Sequence, residues 1–279
     1  MKYKIVGDSC CDFTAEDLKK EYISRVPLIL TVGDTDVIDD DTFDQADFLR
    51  KVAESPNCPK SACPSPDHYK EAFEKAEKRA YGVTLTAELS GSYNSAMLAK
   101  DLVLEERPEL QIHIFNSRSA SVGETLITEK IQECEEKGME FSEVVETVEN
   151  YINTQNTYFV LENLETLRKN GRLSNLKAFV ASALKIKPVM GATPEGTIIQ
   201  LDQARGMNKA LVKMVDYVAG AAEDPEQKIL GITHCNCPER AEAVKNAILE
   251  KISVKDVILL DTAGVSSMYA NDGGVIVVL

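Results

Sequence analysis

Apolar residues recur along this chain in two rhythms. Short runs rich in β-branched and aromatic residues read as strands, at 2–6, 26–32, 81–86, 110–115 and 158–161. Further runs of that kind follow at 186–191, 197–202, 229–233, 257–260 and 275–279. Apolar positions three and four apart mark helices instead, at 66–79, 96–104, 142–153, 164–170, 206–218 and 239–248, and over the stretch that ends near Gly138. Up to residue 153 strands and helices alternate through short connections. That order predicts a parallel sheet covered on both faces. Later the pattern changes: Thr193-Pro194-Glu195-Gly196 reads as a turn between antiparallel strands, so a mixed sheet with helices is expected. The fold class is therefore α/β in two domains: a three-layer, Rossmann-like parallel domain over 1–155 and a mixed-sheet domain over 156–279.

Local signals refine the elements. Thr14 with Asp17 three residues on has the form of a capping box. The proline-rich stretch 55–66 excludes helix interior and central strand, and Ser65-Pro66 suits the start of the helix after it. Ser61 then lies in a rigid extended loop. Gly171 stops one helix, and Arg172-Leu173-Ser174 leads into another.

Composition and charge narrow the classes. A net charge of −14 argues against nucleic acid and anionic membrane surfaces as partners, because phosphates are repelled. With 44% apolar residues a core is easily supplied, so disorder is not expected. The chain enters a strand at once, shows no signal peptide and has no run long enough for a transmembrane helix, so a cytoplasmic location is expected. Its 7 cysteines are odd in number and scattered, unlike a disulfide framework. His234-Cys235-Asn236-Cys237 resembles half a metal site, but no second ligand pair has fitting spacing, and no metal is expected. The acidic run 34–47 fails as a calcium loop, since Asp39 and Gln45 stand where Gly and Glu are needed. Those carboxylates read as a solvated rim and a helix N-terminus.

Candidate chemistry gathers around Ser90-Gly91-Ser92. A strand feeding a helix through small residues aims unpaired N–H groups and the helix dipole at one point, which suits an anion. Ser90 as a simple N-cap is the plainer alternative. Asp8-Ser9, Ser61, Ser90 and Asn116-Ser117 all fall at carboxyl ends of the parallel strands, where such sheets bind ligands. A serine hydrolase or acyltransferase built on Ser90 is a second reading. It lacks the G-x-S-x-G elbow, and the histidines are His68, His113 and His234, with His113 inside a strand.

Several segments together resemble the DegV family: Gly7-Asp8-Ser9, Val26-Pro27-Leu28, Pro64-Ser65, Leu89-Ser90-Gly91-Ser92-Tyr93, Gly171-Arg172-Leu173-Ser174 and Ile186-Lys187-Pro188. They span nearly the whole chain in the family's order. The resemblance implies a non-enzymatic carrier that holds a long-chain fatty acid in a tunnel between two domains, without a cofactor. It implies a partner too, the ATP-using subunit of a bacterial fatty acid kinase, whose acyl phosphate product enters phospholipid synthesis. Carried over by motif, Ser61 and Ser90 hold the carboxylate within the Ser90-Gly91-Ser92 corner, and Arg172 faces the kinase. Ala62 stands where the family has a serine. Tyr269 stands where it has a histidine, and a tyrosine offers a neutral hydrogen bond but no cation near neutral pH. A binder of another small acid or lipid, without a kinase, is the remaining alternative.

Overall fold

The computed structural model describes residues 3–173 and 185–279. The helix expected after Ser174 lies outside the described residues. The first half runs β1 (Tyr3–Asp8), β2 (Ile23–Val26), β3 (Ile29–Val32), β4 (Thr35–Ile38), α1 (Gln45–Glu54), β5 (Lys60–Ala62) and α2 (Pro66–Phe73). It continues through β6 (Arg79–Thr84), α3 (Ser92–Glu106), β7 (Gln111–Asn116), α4 (Val122–Glu136) and α5 (Phe141–Asn153). The second half holds β8 (Thr157–Val160), α6 (Glu165–Lys169), β9 (Ile186–Ala192), β10 (Ile198–Arg205) and α7 (Met207–Ala221). It closes with β11 (Ile229–His234), α8 (Pro238–Leu249), β12 (Asp256–Asp261), α9 (Gly264–Ala270) and β13 (Val275–Val278).

Strands β2-β1-β6-β7 form a wholly parallel sheet. Side chains alternate across it, so neighbouring residues serve opposite cores. Val6, Ala80 and Ile114 pack with Phe73, Ala99 and Val103 of α2 and α3. Ile5, Tyr81 and Phe115 pack with Ile127, Ile131 and Val148 of α4 and α5 on the other face. The second sheet, β10-β9-β8-β13-β11-β12, is mixed, with only the β11–β12 pair parallel. Its outer face buries α7 and α8. Its inner face rests on Val122 and Leu126 of α4. Helix α4 is therefore covered on both sides and joins the two sheets, which explains why its first two turns are buried throughout.

Three differences from the sequence reading matter for the site. The apolar run 26–32 is two strands, because Pro27 interrupts it: Val26 ends β2 in the main sheet, and Ile29 begins β3 in a small antiparallel sheet β4-β3-β5. Ser61 lies in β5 of that small sheet, opposite Leu30, rather than in a free loop. The acidic run is not all rim. Asp44 caps α1 by accepting from Asp47 N, as a helix N-terminus should, but Asp39 is fully buried. Its Oδ1 and Oδ2 accept the N–H groups of Gly264 and Val265, both at 2.8 Å, at the start of α9.

Smaller departures are local. Thr14 and Asp17 exchange the reciprocal capping bonds, both at 3.0 Å, but they open only a single 3-10 turn over Asp17–Lys19. Helix α2 stops at Phe73 rather than near Arg79, which starts β6.

Candidate functional site

The loops leaving β1, β2, β6 and β7 at their carboxyl ends wall one side of a cavity through Cys10, Leu28, Leu85, Thr86 and Ser119. The second sheet and its helices wall the other, through Phe159, Leu161, Leu167, Ile198 and Ile276. The turn expected at 193–196 helps close the cavity: Gly196 sits at φ +92° against the first domain's loops, where a Cβ would stand 2.2 Å from Thr86 Oγ1 and 2.8 Å from Arg118 Cα. Only glycine fits there without displacing them.

Four of the polar residues singled out from the sequence converge on this cavity: Ser61, Ser90, Arg172 and Tyr269. The Ser61 and Tyr269 hydroxyls are 3.0 Å apart, bringing the small sheet onto α9. The Arg172 guanidinium lies 5.9 Å from the centre of the Tyr269 ring, in cation–π range. Its Nε donates to Leu89 O at 3.1 Å and its Nη1 to Asn170 O at 2.6 Å. Arg172 thus ties the end of α6 to the corner carrying Ser90. Burial pushes the Tyr269 phenol up, against the opposing pull of the Ser61 hydrogen bond and the Arg172 charge. It remains a neutral donor or acceptor.

Other candidates are placed differently. Gly91 is exposed and is itself the N-cap of α3, whose first residue is Ser92. Ser92 is wholly buried, and neither it nor Gly91 lines the cavity. Ser90 precedes the cap, and its Oγ accepts the Ser92 N–H at 3.2 Å. Ser9 is structural, its Oγ accepting Leu28 N–H at 2.9 Å across the Pro27 break. Asn116 Oδ1 accepts from Ala87 N and Arg118 N, and Ser117 bonds Ser119, so both shape the loop after β7. His113 bonds Glu149 at 2.9 Å, and His234 Nδ1 accepts Cys237 N–H at 3.3 Å. Cys237 Sγ turns to Gly274 O at 3.5 Å, so the His-Cys-Asn-Cys donors face different partners.

Sequence reasoning named Tyr269 but missed the helix α9 that carries it, and with it the contribution of Val265 and Ser266 to the wall. The apolar spacing Val265-Met268-Tyr269 was the available signal, weak in a helix of 7 residues. It also missed a group of buried acids behind the cavity. Asp8 and Glu124 are fully buried and Asp12 nearly so. Burial raises Asp8 to about 6 and Asp12 to about 7, and holds Glu124 well above the usual carboxylate range. Oxygen and sulfur atoms of Asp8, Cys10 and Glu124 lie within 4.8 Å of one another. Both Asp8 oxygens already accept backbone N–H groups, and burial holds the Cys10 thiol protonated, so the trio suits shared protons rather than a cation.

Comparison with known proteins places this geometry. The DegV family model, described as an uncharacterised protein family, matches residues 2–279. The chain belongs to the DegV family. A DegV domain-containing protein of Streptococcus pneumoniae is 35% identical over 279 residues, covering 99% of this chain and 98% of the relative. Among solved structures, a DegV family protein from Ruminococcus gnavus, refined with vaccenic acid, is 55% identical with a TM-score of 0.97, covering 100% of both chains. The fatty acid kinase B3 protein of Streptococcus pneumoniae, loaded with linoleic acid, is 34% identical with a TM-score of 0.90, covering 100% of this chain and 99% of that one. The two solved structures match the two-domain α/β architecture seen here, and each holds a fatty acid as ligand. No helix among the described residues is long and apolar enough to cross a membrane.

Proposed function

We propose that this DegV protein is a non-enzymatic carrier of a long-chain fatty acid, held between its two domains with the carboxylate at Ser61, Ser90 and Tyr269. The observation that carries this reading is the cavity itself: an apolar space bounded by both sheets, with Ser61, Ser90, Tyr269 and Arg172 gathered at one place on its wall. Each buried methylene contributes roughly 0.8 kcal/mol, so the tail supplies affinity and the polar group sets orientation. A carboxylate taken out of water needs hydrogen bonds, which these hydroxyls can donate. The hydrolase reading is less well supported, because the hydrogen bonds of Ser90 go to Ser92 and Thr86, and among the described residues none joins it to an imidazole.

The test is mass spectrometry of an organic extract of the purified protein. A fatty acid at close to one per chain is expected. An empty extract, together with no binding of added palmitate or oleate, overturns the reading.

We further propose that the carrier works in the cytoplasm and presents its ligand to the ATP-using subunit of a fatty acid kinase, with Arg172 at that encounter. Support comes from the kinase B3 relative and from the position of Arg172, half-buried at the cavity wall after the Gly171 helix stop. Arg172→Ala is expected to leave fatty acid binding within a few-fold while lowering acyl phosphate formation at least about tenfold, the loss of one charged hydrogen bond. Equal loss of both activities makes Arg172 a ligand or fold residue instead.

A further inference from the structure

The segments that carry Ser61 and Ser90 are both held by one short turn, the end of α6. That helix closes in a Schellman arrangement: Gly171 N–H donates to Arg168 O at 3.0 Å and Arg172 N–H to Leu167 O at 2.8 Å, with Gly171 at φ +78°. The stop fixes the backbone on either side of Gly171, so the side chains of Asn170 and Arg172 leave from set positions. Asn170 Nδ2 donates to Pro59 O and to Thr166 O, both at 2.9 Å. An amide nitrogen carries two hydrogens, and the two carbonyls use both. Cys58 Sγ adds a weak contact at 3.7 Å. Arg172 Nε donates to Leu89 O at 3.1 Å and its Nη1 to Asn170 O at 2.6 Å. Pro59 shortly precedes Ser61 in the chain, and Leu89 directly precedes Ser90.

The two serines differ in what else holds them. The Ser90 corner is secured from within: Leu89 N–H and Ser90 N–H donate to Thr86 O at 3.1 and 3.3 Å, and Ser90 Oγ accepts Ser92 N–H. Without the Arg172 bond the corner still has its own turn. Ser61 has less. Its strand β5 is 3 residues long and pairs with β3 alone, at the edge of the small sheet. Pro59, at the entry to that strand, has no N–H to offer a neighbour. It is buried, and Asn170 supplies its carbonyl with a donor.

We propose that Asn170 is a positioning residue for the carboxylate anchor: it fixes the entry of β5 and so holds the Ser61 hydroxyl where it can share one carboxylate with Ser90. This deepens the fatty acid reading above and rests on it. Asn170 is not part of the cavity wall, so it acts without touching the ligand. Its hold on Pro59 closes a ring of contacts. Ser61 meets Tyr269 at 3.0 Å, the Tyr269 ring faces Arg172 at 5.9 Å, and Arg172 bonds the Asn170 carbonyl. A binding group serves its ligand only when its support keeps it within about 0.5 Å of the productive place. In this ring Asn170 is the member that fixes the backbone of β5.

The experiment is a double-substitution cycle read by oleate affinity, with methyl oleate as the neutral control. Asn170→Ala is expected to weaken oleate about three- to tenfold, the range of one neutral hydrogen bond, and methyl oleate less than about twofold. In a Ser61→Ala background the same substitution is expected to weaken oleate less than about twofold, because the hydroxyl it positions is gone. A merely structural Asn170 weakens acid and ester alike and keeps its full effect beside Ser61→Ala; either result overturns the proposal. Should Asn170→Ala not fold, Asn170→Gly removes the same amide while keeping a residue suited to a helix end, and the cycle is run with it. If wild type binds no oleate, the fatty acid reading fails and the role of Asn170 with it. If oleate binds and loss of the Asn170 amide leaves its affinity unchanged, only the role of Asn170 fails.

Discussion

Replacing Ser90 by alanine is expected to weaken fatty acid binding about ten- to a hundredfold. The Ser90 hydroxyl lines the cavity near Arg172, whose Nε holds the carbonyl of Leu89 next to it. A hydrogen bond to a charged group contributes roughly 1.5–3 kcal/mol, which sets that range. Ser61 lies on the facing small sheet with its hydroxyl 3.0 Å from that of Tyr269. Ser61→Ala alone should weaken binding less than the Ser61/Ser90 double substitution. The two effects should not add, because both hydroxyls would serve one carboxylate. Affinity for a fatty acid compared with its methyl ester, in wild type and Ser90→Ala, checks the claim. Loss of the acid's advantage over the ester is expected; an equal effect on both ligands, or on neither, reduces Ser90 to a turn residue.

The second large effect concerns stability. Asp39→Ala is expected to lower the free energy of unfolding by about 3 kcal/mol, since it leaves two buried N–H groups without acceptors at roughly 1–3 kcal/mol each. Those donors, Gly264 N and Val265 N, are held at 2.8 Å by the two carboxylate oxygens. The contact is close on both sides: a Cβ on Gly264 would lie 2.4 Å from Asp39 Oδ1. Burial pushes the Asp39 carboxyl up, and the two N–H groups with the Arg25 charge pull it back. For a chain of this size the loss corresponds to a fall in Tm of roughly 5 °C. Helix α9 carries Val265, Ser266 and Tyr269, so ligand affinity should fall with stability. A chemical denaturation midpoint equivalent to less than about 1 kcal/mol of change would show that the α9 start is solvated instead.

Much of the fold and part of the site are legible in local patterns. The parallel order of the first half is visible because Tyr81, Val83, Ile112 and Ile114 sit in short apolar runs separated by helical spacing, and short crossovers permit few topologies. The Gly171 stop and the Gly196 turn can be read because a positive φ restricts the residue type at one position. Ser61 and Ser90 emerged from strand-end placement and from family motifs spread along the chain. What a strand's run of apolar residues does not contain is its partner. The run at 26–32 gives no sign that Val26 and Ile29 belong to different sheets, because that depends on where β5 arrives.

Contacts across long stretches of chain were decided by tertiary structure alone. Ser61 meets Tyr269 across 208 positions, and Asp39 meets Gly264 across 225. In the sequence Asp39 is one aspartate in an exposed-looking run, and only the unpaired N–H groups of a distant seven-residue helix make it a core residue. Glu124 reads as an ordinary charge early in an amphipathic helix. It becomes a buried acid because α4 is covered by the parallel sheet on one side and by the mixed sheet on the other. Periodicity reports which face of an element is apolar; it does not report that a second sheet will cover the opposite face. The amino-acid sequence by itself therefore determined most of the elements, their class and the place of the Ser90 corner between a strand and a helix. Only the packing of two sheets around α4 decided which carboxyls lie behind that corner and which hydroxyls face each other across the cavity, because burial and hydrogen bonding between distant segments depend on the whole assembly.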